Sequence, residues 1–276
     1  MGKISASEVN KLRQMTGSGI MDCKSALVEA DGDFDKAIEI LRKKGQKVAA
    51  KRGDREANEG LIVSKADASG KRGIITGLTC ETDFVAKNDE FGQVADKIAT
   101  IALESGVTSI DELKAQSFDG NGITIGDKVL EMVGKIGEKI DVSALDVIQA
   151  NTVVAYNHPG NQVASLVGLS VEVKSEVGRD VAMQIAAMAP VAIDQNGVSQ
   201  DIIDKEIEIG KDLARQEGKP EEMLEKIAMG KLNKFFKENT LLNQAFIKEN
   251  KKSVGQYLKE VDSNLTVTAF KRHALS

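Results

Sequence analysis

The chain has 276 residues, 37 Lys+Arg against 42 Asp+Glu, and a formal net charge of −5, so at ~100–200 residues per domain it suggests two or three domains. A hydrophobic fraction of 41% supports a packed core and excludes wholesale disorder. Cys23, Cys80, His158 and His273 form no C-x-x-C or Cys/His cluster, which excludes a disulfide scaffold and a Cys-type zinc site and disfavours a His-built metal centre.

The first 45 residues read as a compact three-helix module. Ser5-Ala6-Ser7-Glu8 has capping-box spacing, in which a hydroxyl and a carboxylate three residues on each satisfy an orphan backbone donor. Val9, Leu12 and Met15 follow at helical spacing, and Thr16-Gly17-Ser18-Gly19 breaks the run. A second helix passes through Met21, Ala26 and Leu27. After Asp31-Gly32-Asp33 a third carries Ala37, Ile38 and Leu41, with Asp33 as N-cap and Gly45 as the expected stop. Residues 46–58, with Lys47, Lys51, Arg52 and Arg55 among acidic neighbours, read as a basic linker with a solvated face.

The hydrophobic period then changes. Leu61-Ile62-Val63 and Ile74-Ile75-Thr76 flank Asp67-Ala68-Ser69-Gly70-Lys71, which is hairpin chemistry, and a helix follows from about Glu90 with Phe91, Val94, Ile98, Ile101 and Ala102 on one side. The order recurs: Val153-Val154-Ala155-Tyr156, a turn at Asn157-His158-Pro159-Gly160, Ser165-Leu166-Val167-Gly168-Leu169, then a helix through Val181, Ile185 and Met188. Gly77-Leu78-Thr79-Cys80-Glu81 matches Gly168-Leu169-Ser170-Val171-Glu172 at an offset of 91, and Val94-Ala95 matches Val181-Ala182 at 87. The first copy therefore carries four extra residues between its last strand and its helix. The expected fold class is α+β: the three-helix module, the linker at 46–58, and a duplicated hairpin–helix core in two halves, 59–145 and 146–276. An antiparallel helical hairpin at about 199–238 is inserted in the second half, interrupted at Gly218-Lys219-Pro220, and Leu265–Phe270 reads as a final strand.

Catalytic signatures are missing. There is no P-loop, dinucleotide fingerprint, nucleophile elbow, H-E-x-x-H or EF-hand loop. His158 lies in a turn before proline and His273 near the end of the sequence, poor frames for a general base, so no enzyme activity and no cofactor are expected. With no Trp, two Tyr and eight Phe there is no stacking platform for single strands, and no direct nucleic-acid partner is expected. The N-terminal residues have no apolar h-region and no run reaches ~18 apolar residues, so the expectation is a cytoplasmic protein without a membrane partner. What remains is Thr79–Phe91, which holds the extra residues of the first copy. There Phe84 reads either as a staple packed on the next helix or, beside Asp83, as part of a protruding acceptor-and-wedge loop.

Leu12-Arg13 with Thr16-Gly17-Ser18-Gly19-Ile20-Met21-Asp22-Cys23-Lys24-Ser25-Ala26-Leu27, followed by Thr82-Asp83-Phe84-Val85-Ala86-Lys87-Asn88, resembles the bacterial elongation factor Ts family. Lys135-Ile136-Gly137-Glu138, Tyr156-Asn157-His158 and Leu241-Leu242-Asn243-Gln244-Ala245-Phe246 extend the resemblance along essentially the whole chain. It implies a non-enzymatic guanine-nucleotide exchange factor for the GTPase elongation factor Tu. It also implies an N-terminal module like a ubiquitin-associated domain, a duplicated α+β core and self-association through the helical hairpin. Carried over residue by residue, Asp83 would hydrogen-bond near the GTPase's switch region and Phe84 would wedge between its helices, disturbing Mg²⁺ and phosphate binding. Thr82, Val85 and Ala86 complete that motif. Ile20, Met21 and Lys24 match an N-terminal docking motif, against the alternative of Met21 as core and Lys24 as merely solvated. Ile136 and Gly137 match a core contact, unless Gly137 serves only a turn; His158 matches a hairpin contact, and Ile247 and Lys248 a patch after the helical insert. Many relatives continue beyond the last strand into a module that touches the GTPase, and the sequence ending at Lys271–Ser276 puts that contact in doubt. A passive scaffold, and an RNA-associated protein using residues 42–55, are the competing readings.

Overall fold

The computed structural model describes residues 4–120 and 122–275; the first three residues of the N-terminal stretch and Ser276 lie outside the described residues. Three helices open the chain: α1 (Ala6–Thr16), α2 (Ile20–Glu29) and α3 (Phe34–Lys51). The capping box forms, with Glu8 N donating to Ser5 Oγ and Ser5 N donating to Glu8 at 2.7 Å, and Gly17 closes α1 in the left-handed region at φ 65°. Val9, Leu12, Cys23, Ala26, Leu27 and Ala37 make the module's core.

Helix α3 does not stop at Gly45. It continues to Lys51, and residues 46–51 of the expected linker are its last turns. The glycine permits a close approach here. A Cβ on Gly45 would stand 2.6 Å from the carbonyl oxygen of Leu130, and one on Gly134 would stand 3.2 Å from the Cα of Gly45. Both glycines therefore lie where α3 crosses α7 (Ile125–Ile136). A buried, packed helix interior tolerates the ~1 kcal/mol propensity cost of glycine because the backbones meet.

Strands β1 (Glu59–Ala66) and β2 (Arg72–Cys80) form the first hairpin, followed by the single turn α4 (Asp83–Ala86), the long α5 (Asp89–Ser105), α6 (Ile110–Ala115) and α7. Strand β3 (Asp141–Gln149) then pairs antiparallel with β2, giving the order β1-β2-β3. The boundary expected at 145/146 falls inside this strand, because Asp146, Val147, Ile148 and Gln149 are still paired with Ile75, Ile74, Gly73 and Arg72. The second half repeats the plan. β4 (Thr152–Asn157) and β5 (Val163–Leu169) form a hairpin, α8 (Ser175–Met188) covers it, and β8 (Val267–Ala274) returns beside β5. Between them run α9 (Gln200–Gln216), α10 (Glu221–Asn239), the short pair β6 (Ala245–Phe246) and β7 (Glu249–Ser253), and α11 (Val254–Val261). Helices α9 and α10 together span residues 200–239, and the last strand begins two residues after Leu265 and runs on to Ala274.

The duplication is visible in an irregularity. The ladder slips between Gly77 and Leu78 where β2 meets β3, and between Gly168 and Leu169 where β5 meets β8. These are the residues matched at an offset of 91, so both copies carry the same bulge at the same glycine. Fully buried Phe91 and Ile98 of α5, with Ile74 and Met132, pack one half; Ile185, Leu169 and Leu241 pack the other. Each such side chain contributes about 1.5–3 kcal/mol of burial.

The two sheets lock onto each other through Ile62, Ile75, Ile148, Val153, Ala164 and Leu166. At the edge, Asn157 accepts from Ser64 N at 2.7 Å and donates to Ser64 O at 2.9 Å, so a side chain completes the β1 backbone across the junction. On the other side Asp146 of β3 pairs with Lys271 at 2.9 Å and with His273, both on β8. Among the described residues no helix is long and apolar enough to cross a membrane, and no group of three or more His, Cys, Asp or Glu could hold a metal ion.

Candidate functional site

The extra residues of the first copy form α4, a single turn between β2 and α5. Phe84 at its centre is 83% exposed, which removes the staple reading, because a staple must pack against the helix it precedes. Val85 and Ala86 are half-buried and pack on the first core. Asp83 holds Lys87 at 2.6 Å, one turn on, and that hydrogen bond keeps its carboxyl below the usual carboxylate range. The turn therefore presents an aromatic ring and a carboxylate to solvent while its back sits on the core.

The turn is held from a neighbouring helix end. Helix α7 closes at Gly137 in the left-handed region, φ 80°, where a Cβ would meet nothing within 4 Å. The glycine is thus demanded by the backbone conformation rather than by crowding. The next residue, Glu138, accepts from Thr82 Oγ1 at 2.7 Å, from Thr82 N at 3.1 Å and from Glu81 N at 3.2 Å. In return Glu81 accepts from Lys139 N at 2.6 Å and takes a fork from one guanidinium nitrogen of Arg52, at 2.7 and 2.9 Å. The backbone donor from Lys139, with Arg52 beside it, holds the Glu81 carboxyl low. Lys139 Nζ donates to Gly53 O at 2.7 Å and to Arg55 O at 2.9 Å. Arg52 and Arg55 of the expected linker are thereby committed to the core, and the segment is tied down rather than free. Cys80 beneath the turn is buried, and desolvation together with the nearby Glu138 charge pushes its thiol up to about 12, so it is unreactive.

Ile136 and Gly137 share this region with Thr82–Ala86. Lys135, just before them, bridges to Glu90 at the start of α5 at 2.5 Å. The same Lys135 Nζ lies 3.3 Å from where a Cβ on Gly17 would be, so the α1–α2 connection reaches the end of α7 as well. Beyond it Ile20 and Met21 are 52% and 68% exposed and Lys24 is exposed, which rules out Met21 as core. The other expected positions belong to the second half. His158 is exposed on the β4–β5 turn, 3.1 Å from the Tyr156 hydroxyl. Ile247 and Lys248 lie on the β6–β7 turn beside α8: Ile247 N donates to buried Gln184 at 2.8 Å and Lys248 pairs with Asp180 at 2.5 Å. The principal neighbours of α4 are β1, β2 and α5; its link to the end of α7 runs through Glu138, next after Gly137, while His158, Ile247 and Lys248 stand on other elements.

Sequence reasoning gave no role to Glu138, Glu81 or Arg52. Glu138 was legible in part: a helix-ending glycine followed by an acid marks a carboxylate whose direction the left-handed turn fixes. Arg52 was hidden by its neighbours, since one arginine in a basic run looks like any other.

The family profile described as Elongation factor TS matches residues 81–276. The chain is 56% identical to the elongation factor Ts of Christiangramia forsetii, with 100% of both chains covered. It is 52% identical to that of Amoebophilus asiaticus over 98% of each, and 51% identical to that of Flavobacterium psychrophilum over 100% of both. With a profile that spans most of the chain and full-length identity at this level, the chain belongs to the elongation factor Ts family, the nucleotide exchange factors of translation elongation.

Proposed function

We propose that this protein releases GDP from elongation factor Tu by pressing the Asp83–Phe84 turn into the GTPase and disturbing its Mg²⁺ and phosphate site. The observation that carries this reading is Phe84: a ring 83% exposed on a turn whose backbone is anchored by Glu138. A large aromatic left exposed on an ordered element is of a type enriched in protein interfaces. Its rigidity matters, because a wedge that is already ordered loses little entropy on docking. Asp83 supplies a carboxylate that can exchange Lys87 for donors of the partner.

The chemistry needs no covalent step. Mg²⁺ bridges nucleotide phosphates and protein, so displacing its surroundings weakens a dominant electrostatic clamp. Linkage then requires that nucleotide weaken the binding of this protein by the same factor. Ile20, Met21 and Lys24, with Ile136, Gly137, His158, Ile247 and Lys248, serve as docking contacts in this reading. The hairpin α9–α10, with Ile202, Ile209, Leu213, Met223 and Met229 partly exposed, is its self-association surface. The test is release of labelled GDP from purified elongation factor Tu with stoichiometric protein. Accelerated release supports exchange; binding without acceleration would make the protein a scaffold.

A further inference from the structure

We propose that Glu138 is a positioning residue for exchange, holding the Thr82–Ala86 turn in the posture that presents Phe84. The inference rests on the function proposed above.

Helix α4 has no side-chain cap at its N-terminus. Thr82 is its N-cap residue, yet the Thr82 side chain makes no capping bond, and its hydroxyl donates outward to Glu138 Oε1 at 2.7 Å. No residue of α4 is fully buried, so the core holds it only through half-buried Val85 and Ala86. A four-residue helix lies far below the length at which a helix is stable in isolation. Its direction is set where the chain enters it, at Glu81 and Thr82, and there a single carboxylate takes three donors. Hydrogen bonds to an ionised acceptor are roughly twice as strong as neutral ones.

The clasp is reciprocal. Glu138 binds the backbone of 81 and 82, while Glu81 binds the backbone of 139 and the Arg52 guanidinium. Rotation of either carboxylate breaks bonds to the other segment, so the end of α7 and the start of the turn move as one piece. Glu138 is half-buried behind Thr82, whereas Phe84 points to solvent. Its effect on exchange therefore passes through the turn.

The experiment is a double-mutant cycle on GDP release from elongation factor Tu, titrated to saturation with the full chain. Glu138→Ala is expected to slow release at saturation about tenfold while the half-saturating concentration changes by less than about threefold, since the other docking positions are untouched. Phe84→Ala should slow it as well, and the two effects should fall well short of multiplying, because without the ring the clasp has only Asp83 left to aim. Glu138→Gln, which keeps one acceptor oxygen for Thr82 Oγ1, should fall between Glu138→Ala and the unaltered protein. Thr82→Val removes the hydroxyl donor alone and leaves both backbone donors on Glu138, so it should slow release measurably but less than Glu138→Ala, and it serves if Glu138→Ala fails to fold. Full-speed release by folded Glu138→Ala or Thr82→Val, or effects of Phe84 and Glu138 that multiply, would overturn the clasp alone. Full-speed release by Phe84→Ala would instead overturn the wedge, and the clasp with it.

Discussion

Phe84 separates two accounts that look alike in sequence. A staple would be packed, and truncating a packed phenylalanine costs about 3–5 kcal/mol of stability. At 83% exposure the expected cost of Phe84→Ala is within about 0.5 kcal/mol, checked by the urea midpoint at constant slope. Asp-Phe before a helix start satisfies the local rules for either role; the second copy, whose shorter connection has no Asp-Phe pair, favours the protruding ring, and the exposure removes the staple. The titration of Asp146 gives a second residue-scale prediction. The His273 hydrogen bond and then Lys271 hold its carboxyl below the usual range in the folded state. A depressed folded value adds stability above the unfolded pKa of about 3.9, and that stability is lost as pH falls through the folded value. Asp146→Asn should therefore cost most at pH values above ~4, and the difference from the unaltered protein should shrink towards pH ~2. Urea midpoints across that range check it, and a difference independent of pH would contradict it.

At the scale of elements, the hairpins, α5, α8 and the helical insert were readable because each carries one clear period and a recognisable breaker. Strand β3 was not, since Asp141, Ser143, Asp146 and Gln149 interrupt its apolar pattern, and its partner is set by tertiary pairing with β2. Gly45 misled for a different reason: glycine both ends helices and lets them touch, and sequence does not say which. Gly45→Ala tests the second role. Helix propensity alone favours the change by up to ~1 kcal/mol, but the added Cβ would meet Leu130 O at 2.6 Å. Overpacking of that kind costs about 1–3 kcal/mol, so a lower thermal midpoint is expected. A raised midpoint would show that the α3–α7 crossing has slack. Deletion of residues 199–238 makes a cleaner cut, because the two helices pack mainly on each other. The shortened protein should still release GDP and should differ in self-association, read by sedimentation. A folded deletion variant that no longer releases GDP would contradict this.

For the whole molecule, the structure revises the picture of a module on a free tether. α3 packs on α7, Val48 and Ala49 reach the first core, and Arg52 grips Glu81 beside the turn. Cutting the chain at Glu56 would therefore damage the site as well as remove docking residues. Ile20→Ala with Met21→Ala is a gentler probe. Both side chains are exposed, so stability should stay within about 0.5 kcal/mol. The half-saturating concentration for GDP release should rise roughly tenfold with the saturated rate kept, since hot-spot truncations typically cost more than ~1 kcal/mol. The central claim is that docking and exchange are carried by different parts, with Phe84 acting at the exchange step. The most direct measurement is the rate of labelled GDP release from elongation factor Tu at saturating Phe84→Ala protein, with its thermal midpoint taken on the same sample. The account predicts an unchanged midpoint and release slowed about thirtyfold, the equivalent of the ~2 kcal/mol of a buried aromatic anchor. An unchanged midpoint with release at the full rate would contradict it.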